Sequence, residues 1–263
     1  GRGGWGVSVW GEVWGWRVGG WGWWGAGVAV ARGGAVGWRR GIRAGGGGPS
    51  VLVWAGGGGS VTGGAVGRAG RSGRGWWGWG VGCRGFGAST PRRPSEASAL
   101  EDAMAGLKEL ARLQPDPARR FVYGHSLGGA IAINLAARPE QPDFAGLIVE
   151  SSFTSISAML ATMKWGRVPG ASLLVTQPFD SVQTLAQLHT PMLFMHGTAD
   201  RVVPHTMSDE LYAAARGVAP ELKRLVKIEG ATHSGAFRSG EQYDDAVKTF
   251  MRDASRAYQR KAG

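Results

Sequence analysis

Beyond residue 90, the apolar positions of the chain follow two periods that alternate. Short and nearly continuous apolar runs predict buried strands at 121–123, 144–150, 191–197 and 224–230. Helical spacing predicts helices over 100–111, 127–138 and 208–216, and a closing helix whose apolar stripe runs from Tyr243 to Ala254. Because strands that alternate with helices build parallel sheets covered on both faces, the pattern predicts an α/β fold with a mostly parallel sheet.

The start of the first predicted helix carries a local signal. Ser98 and Glu101 have the spacing of a capping box, in which the serine hydroxyl binds the backbone three residues on and the glutamate reaches back. We therefore expect this helix to be capped by Ser98.

The first 90 residues have an unusual composition. They hold 34 of the 47 glycines and 12 of the 13 tryptophans, and they contain no Asp, Asn, Lys or Tyr. A GC-rich coding sequence read in the wrong frame gives this composition, since Gly, Val, Ala, Arg and Trp all have G-rich or GC-rich codons. Natural low complexity is the alternative. We therefore divide the chain into an anomalous segment, 1–82, and a globular domain, 83–263.

The positive charge belongs to the first segment. Residues 1–90 carry ten Arg and one Glu, whereas the rest of the chain is nearly balanced. A basic, glycine-rich and aromatic segment is typical of an RNA-binding tail, with Arg on phosphates and rings stacked on bases. Such tails mix Tyr and Phe with Ser, Asn and Asp, so we do not expect a nucleic-acid partner.

Compartment and metal binding have no clear signal. The longest uncharged run near the start, 18–31, is too short and too rich in glycine for a membrane span. Cys83 has no second cysteine to pair with, and no Cys/His cluster has metal-ligand spacing. We expect neither a metal nor a cofactor, and the sequence leaves a cytoplasmic and a membrane-associated protein both open.

Candidate chemistry begins at Gly124-His125-Ser126-Leu127-Gly128, which fits the pattern G-x-S-x-G. A predicted strand precedes it and a predicted helix follows it, as a nucleophile elbow requires. The turn is so sharp that side chains at 124 and 128 are expected to collide with backbone. The first N–H groups of the helix, beginning with Leu127, would face an oxyanion formed at Ser126. A tight turn without chemistry is the alternative.

A nucleophilic serine needs a base that is oriented by an acid. In proteins with a G-x-S-x-G nucleophile elbow, the acid follows the serine along the chain and the base comes last. Asp200 follows the strand at 191–197 and His233 follows the strand at 224–230, so these are the predicted acid and base. His205 is the rival base, and Glu150, at the end of the strand at 144–150, is the fallback acid. We expect His196 to have a packed or hydrogen-bonded role.

Five stretches together resemble the α/β-hydrolase superfamily, and in particular its Bem46-like serine hydrolases. They are RGFGAS, YGHSLGGA, VESSFTS, HGTADRVVP and IEGATHS, spread over residues 83–253. The resemblance implies an eight-stranded, mostly parallel sheet and a Ser126-Asp200-His233 triad. It also implies acyl transfer to water from small acyl esters, thioesters, lipids or acylated proteins, without a cofactor.

The chain departs from the family pattern before residue 83. The usual Asp-Tyr pair is replaced by Gly82-Cys83, and no His-Gly oxyanion loop precedes it. We therefore expect the N-terminal strands to be degraded or missing, with 51–56 and 76–82 as the stretches apolar enough to replace them. Gly56 is the candidate for the second oxyanion donor beside Leu127.

The segment 151–190 would form a short cap over the site. Its apolar residues are expected to line an acyl pocket or simply to pack a helix on the sheet; they are Met159, Leu160, Met163, Trp165, Leu173 and Leu174. The resulting hypothesis is a serine hydrolase that cleaves esters or thioesters through an acyl-enzyme on Ser126. The alternatives are a catalytically dead scaffold of the same fold and an RNA-binding tail fused to a hydrolase domain.

Overall fold

The computed structural model describes residues 28–32, 35–37, 49–55, 77–81, 83, 93–162 and 175–262; at 28–32, 35–37, 53–55, 77–81 and 237 it describes the backbone alone. Its strands are β1 Val28–Arg32, β2 Ala35–Gly37, β3 Ser50–Ala55, β4 Trp77–Val81, β5 Arg120–His125, β6 Gly146–Glu150, β7 Met192–Gly197 and β8 Lys223–Ile228. Its α-helices are α1 Glu96–Leu113, α2 Leu127–Ala136, α3 Ile156–Thr162, α4 Ser181–Leu185, α5 Thr206–Ala214 and α6 Glu241–Ala262.

The strands form one sheet in the order β2-β1-β4-β3-β5-β6-β7-β8. All described pairings are parallel except that of β1 with β2. The four strands that periodicity predicted in the second half of the chain are β5 to β8, and their observed ends differ from the predicted ones by no more than two residues. The predicted fold class, α/β with a mostly parallel sheet, is confirmed.

Helices cover both faces of the sheet, and the alternation of side chains along each strand decides which face a residue joins. Val122 of β5, Leu147 of β6 and Phe194 of β7 pack in one core with residues of α1, α2, α4 and α5. Their neighbours Tyr123, Ile148 and Met195 pack in a second core against the apolar stripe of α6. Because successive side chains of a strand point to opposite faces, this parity also assigns each polar residue at a strand end to one face.

The first helix begins earlier than its sequence signal indicated. Its N-cap is Ser95, whose hydroxyl accepts from the N–H of Ser98 at 3.1 Å, while the Ser98 hydroxyl accepts from the Ser95 N–H at 3.0 Å. The prediction of Ser98 as the cap and Glu101 as its partner was wrong, because a serine at the third helical position can close the box in place of glutamate. Ser98 is buried inside the helix it was expected to start.

Strands are present in the glycine-rich first segment, where we expected degraded or missing ones, and they are three to six residues long. Of the two stretches named as apolar enough, 76–82 contains β4 and 51–56 covers all of β3 but its first residue, Ser50. Strand β3 pairs directly with β5, with Ala55 in register with His125. The sheet therefore extends across the compositional boundary near residue 82. The division of the chain into 1–82 and 83–263 stays a prediction.

Candidate active site

The turn between β5 and α2 holds Ser126 in a strained conformation. Its φ of 56° and ψ of −122° lie where residues other than glycine rarely occur, which costs about 1–3 kcal/mol. Its backbone is held from both sides. The Ser126 N–H donates to the Glu150 carbonyl at 2.9 Å, and the Ser126 carbonyl accepts from the Gly129 N–H and the Ser152 hydroxyl, each at 2.9 Å. The hydroxyl of Ser152 is a support that the sequence analysis did not identify.

Glycine is required at this turn for steric reasons. A Cβ atom at position 124 would lie 2.1 Å from the Gly128 carbonyl oxygen and 2.6 Å from the Gly129 Cα, both of them backbone atoms. A Cβ at position 129 would lie 2.6 Å from the Ser152 Cβ and hydroxyl. The collision expected at 124 is therefore present, and Gly128 supplies the backbone that causes it.

Asp200 follows β7 and its carboxylate accepts four hydrogen bonds. Oδ1 accepts from the backbone N–H groups of Val202 at 2.8 Å and Val203 at 2.9 Å. Oδ2 lies 2.7 Å from His233 Nδ1 and 3.1 Å from His196 Nε2. Burial pushes the pKa of Asp200 up, but the hydrogen bonds from the two histidines and the two backbone groups outweigh it and hold the pKa well below its usual value. The side chain is therefore a fully buried carboxylate.

His233 lies in the turn after β8 and is held next to the elbow. Asp200 occupies its Nδ1, and the side chain keeps 17% exposure. The residue that precedes the serine, His125, makes a 2.7 Å hydrogen bond to the His233 backbone carbonyl, and the two rings are 4.8 Å apart between centroids. The structure thus brings together the predicted acid, the predicted base and the elbow. Sequence reasoning missed this role of His125, because the position between Gly124 and Ser126 carries no local signal for it.

The other described histidines make different contacts. His205, the rival base, accepts from Lys227: the ammonium group donates to its backbone carbonyl and lies 3.5 Å from its Nδ1. His196 is fully buried and hydrogen-bonded, as expected, to Asp200 and to the Val203 carbonyl at 3.1 Å. Because a carbonyl only accepts, His196 Nε2 carries a proton, and this ring donates rather than acting as a base.

The side chain of Glu150, the fallback acid, lies on the face of the sheet that α6 covers. Its Oε2 accepts from the Tyr123 hydroxyl at 2.6 Å and from the Tyr243 hydroxyl at 2.9 Å, and the residue is 1% exposed. Burial first, and then the neighbouring carboxylate, raise the pKa of both tyrosines well above 10.0. Glu150 therefore anchors α6 to the sheet and does not meet His233 through its side chain.

The two predicted oxyanion donors differ in what the structure describes. Leu127 is the first residue of α2, where the leading N–H groups have no acceptor within the helix. Gly56 lies outside the described residues. The strand before it, β3, is described as far as Ala55, which is in register with His125.

The predicted cap is described in part. Met159 of α3 is buried in the main core, which favours the packing interpretation for that residue, and Leu160 is half-buried. Met163, Trp165, Leu173 and Leu174 lie outside the described residues. Among the residues that the structure describes, no group of three His, Cys, Asp or Glu side chains is placed to hold a metal ion. In the same part of the chain, every helix is too short or too polar to cross a membrane.

Known proteins resemble this chain in sequence. A family model described as serine aminopeptidase, S33, matches residues 72–178. An uncharacterized protein of Mycobacterium tuberculosis is 34% identical over 228 residues, which cover 83% of this chain and 75% of that one. Protein bem46 of Schizosaccharomyces pombe is 36% identical over 124 residues, 46% of this chain and 40% of that one. Since residues 83–263 make up only about two thirds of the chain, the mycobacterial match extends upstream of residue 83.

Solved structures resemble it in fold. The acylaminoacyl peptidase of Pyrococcus horikoshii superimposes with a TM-score of 0.57 over 82% of this chain and 38% of that one, at 18% identity. Because the identity is low, this likeness supports the fold alone.

Proposed function

Since the chain belongs to the α/β-hydrolase superfamily, in its Bem46-like branch, we propose that it is a serine hydrolase that cleaves carboxylic esters or thioesters through an acyl-enzyme on Ser126. One observation carries the proposal. His233 is bonded through Nδ1 to a buried, ionised Asp200, and its backbone is bonded to the residue just before Ser126. The predicted acid therefore holds the predicted base, and the base is bonded to the elbow that contains Ser126.

Each residue has a chemical role in this mechanism. Ser126 Oγ attacks the acyl carbon while His233 Nε2 takes its proton, and Asp200 holds the ring and stabilises the imidazolium that forms. The leaving group then takes the proton from His233 as the tetrahedral intermediate collapses. Water, deprotonated by His233, attacks the acyl-enzyme and releases the acid, and Ser126 Oγ recovers its proton.

The oxyanion is assigned to backbone donors at the same edge of the sheet. The N–H of Leu127 lies at the positive end of the α2 dipole, which favours negative charge there. The N–H of Gly56 is proposed as the second donor, because the end of β3 is in register with the end of β5. Loss of one such donor lowers kcat by about 10²–10³.

A fluorophosphonate probe tests the nucleophile, since it labels activated serines. We expect labelling of the wild-type chain, none of Ser126→Ala, and wild-type labelling of Ser255→Ala. Ser255 is a residue of α6, and its hydroxyl donates to the Ala118 carbonyl before β5. Equal labelling of Ser126→Ala and wild type would show that the nucleophile is misassigned. Absence of labelling in the wild type would favour the catalytically dead scaffold.

Amide hydrolysis is the second candidate activity, and the description of the matching family model favours it. That model, which matches residues 72–178, is described as a serine aminopeptidase. The same acyl-enzyme serves both reactions, so the substrates must separate them. We expect a higher kcat/KM for p-nitrophenyl esters and acyl thioesters than for aminoacyl p-nitroanilides, and the reverse order would establish a peptidase.

A further inference from the structure

The elbow and the base loop belong to strands that are far apart in the sheet. Ser126 directly follows β5 and His233 lies in the turn after β8, with β6 and β7 between these two strands. Three strand spacings separate β5 from β8 by about 14 Å. The turn after β8 must therefore reach across the ends of two strands to bring His233 to the serine.

This turn is fastened at both ends of its reach. On the side of β7, the Ala199 N–H donates to the Ala231 carbonyl at 3.0 Å and the Gly230 N–H donates to the Thr198 hydroxyl at 2.9 Å. On the side of the elbow, the described fastening is the 2.7 Å bond between His125 Nε2 and the His233 carbonyl. The Asp200 bond fixes the His233 ring at one nitrogen, but a ring held at one point can still swing with its backbone.

The direction of the His125 bond follows from its acceptor. A carbonyl oxygen has no proton to give, so His125 Nε2 must carry one and donate it. The bond therefore forms with the neutral ring protonated at Nε2 and also with the doubly protonated ring. The tilt of 55° between the two imidazoles, with centroids 4.8 Å apart, leaves them in contact without parallel stacking.

We propose that His125 is a positioning residue for the reaction assigned above: its N–H fixes the His233 backbone to the elbow, and so sets the distance from the base to Ser126. The inference rests on the proposed function for its catalytic consequence, but the bond itself has an independent readout. Its alternative is a ring that merely fills space beside the turn. If His125 is a positioning residue, loss of its N–H donor lowers activity even when a ring is kept. If it only fills space, a ring without the donor is sufficient.

Three variants of the full chain separate donor from ring. His125→Gln keeps an N–H donor near the position of Nε2, and His125→Phe keeps a ring and removes the donor. His189→Phe is the matched control, because the exposed His189 also bonds a backbone carbonyl, that of Gly217, at 2.8 Å, but contacts no residue assigned to the site.

We expect His125→Phe to lower kcat and the fluorophosphonate labelling rate by about 10- to 100-fold, since small misplacements of a reacting group are costly, while KM changes by less than about threefold. His125→Gln should recover to within about threefold of wild type, and His189→Phe should match wild type. A His125→Phe variant that labels within about twofold of wild type would overturn the proposal, as would a His125→Gln variant that is as slow as His125→Phe.

Amide hydrogen exchange across 229–235 tests the same bond without any substrate. Loss of the donor should speed exchange there in His125→Phe but not in His125→Gln, because local opening follows the loss of a tertiary fastening. If the wild type is not labelled at all, the proposed function fails, and the exchange result still decides on the fastening. Unchanged exchange in His125→Phe would overturn it.

Discussion

Replacement of Tyr243 by Phe removes one hydroxyl from the buried carboxylate of Glu150 and leaves the ring in place. Tyr243 is 4% exposed and Glu150 is 1% exposed, and their hydrogen bond measures 2.9 Å. Water cannot replace the lost donor at such a site. A buried polar group that loses a hydrogen-bond partner costs about 1–3 kcal/mol, so we expect the free energy of unfolding to fall by that amount.

The same helix supplies a matched control. Tyr258 of α6 also donates to a carboxylate, Asp143 Oδ2 at 3.0 Å, but this bond lies at the surface. Water can take the place of the Tyr258 hydroxyl, so Tyr258→Phe should cost no more than about 0.5 kcal/mol. Both variants make the same chemical change on one helix and differ in burial.

Urea-induced unfolding followed by circular dichroism measures both costs, with the wild type and the two variants at one pH and one salt concentration. We expect Tyr243→Phe to lower the midpoint clearly and Tyr258→Phe to leave it almost unchanged. Equal losses in the two variants would refute the reasoning, because burial would then not decide the cost. A Tyr243→Phe loss below about 0.5 kcal/mol would refute it as well.

Two further predictions concern the elbow and the same tyrosines. Gly124→Ala should lower the free energy of unfolding by about 3 kcal/mol or more, because its Cβ meets backbone at 2.1 Å. Gly146→Ala should lower it by about 1 kcal/mol, because its nearest neighbour, at 2.8 Å, is the Phe250 ring, which can shift. Equal shifts of the two variants in thermal unfolding would contradict this. The second prediction concerns alkaline pH, because the folded-state pKa values of Tyr123 and Tyr243 are raised above 10.0. Above pH 10 the unfolded chain gives up protons that the folded chain keeps. The contribution of the two tyrosines to the free energy of unfolding is therefore intact below pH 10 and is lost as the pH rises further. The loss is up to about 1.4 kcal/mol per pH unit for each tyrosine. The Tyr123→Phe/Tyr243→Phe variant should therefore show a shallower decline of the urea midpoint between pH 10 and 11.5, and parallel declines would contradict it.

The polar residues at strand ends illustrate what sequence position alone leaves open. Asp200 and Glu150 both follow or end a buried strand, and both were considered as the acid. Glu150 is an even step from Ile148, which faces α6, so the parity of β6 turns its carboxylate to the tyrosines. Asp200 lies beyond the end of β7, where the backbone turns and frees the side chain from that alternation.

Features that depend on neighbours along the chain could be predicted from the sequence. Short apolar runs and helical stripes located β5 to β8 and the helices α1, α2, α5 and α6, although α3 and α4 were not predicted. The glycines around Ser126 located the turn that only small residues can form. Capping was less certain, because Ser95 and Ser98 are both competent and the difference between them depends on where the backbone turns.

Tertiary structure alone decided which residues meet across the sheet. The bond from His125 to His233 joins positions 108 residues apart. Asp200 binds His233, as predicted, but also His196, a bond that the sequence did not predict. Strands β1 and β2 lie in a segment whose composition gives no alternating pattern, so the sequence did not predict them. Local periodicity indicates which face of a strand or helix a residue presents to a core. Its contact partner on another strand depends on strand order and register, and these are properties of the whole sheet.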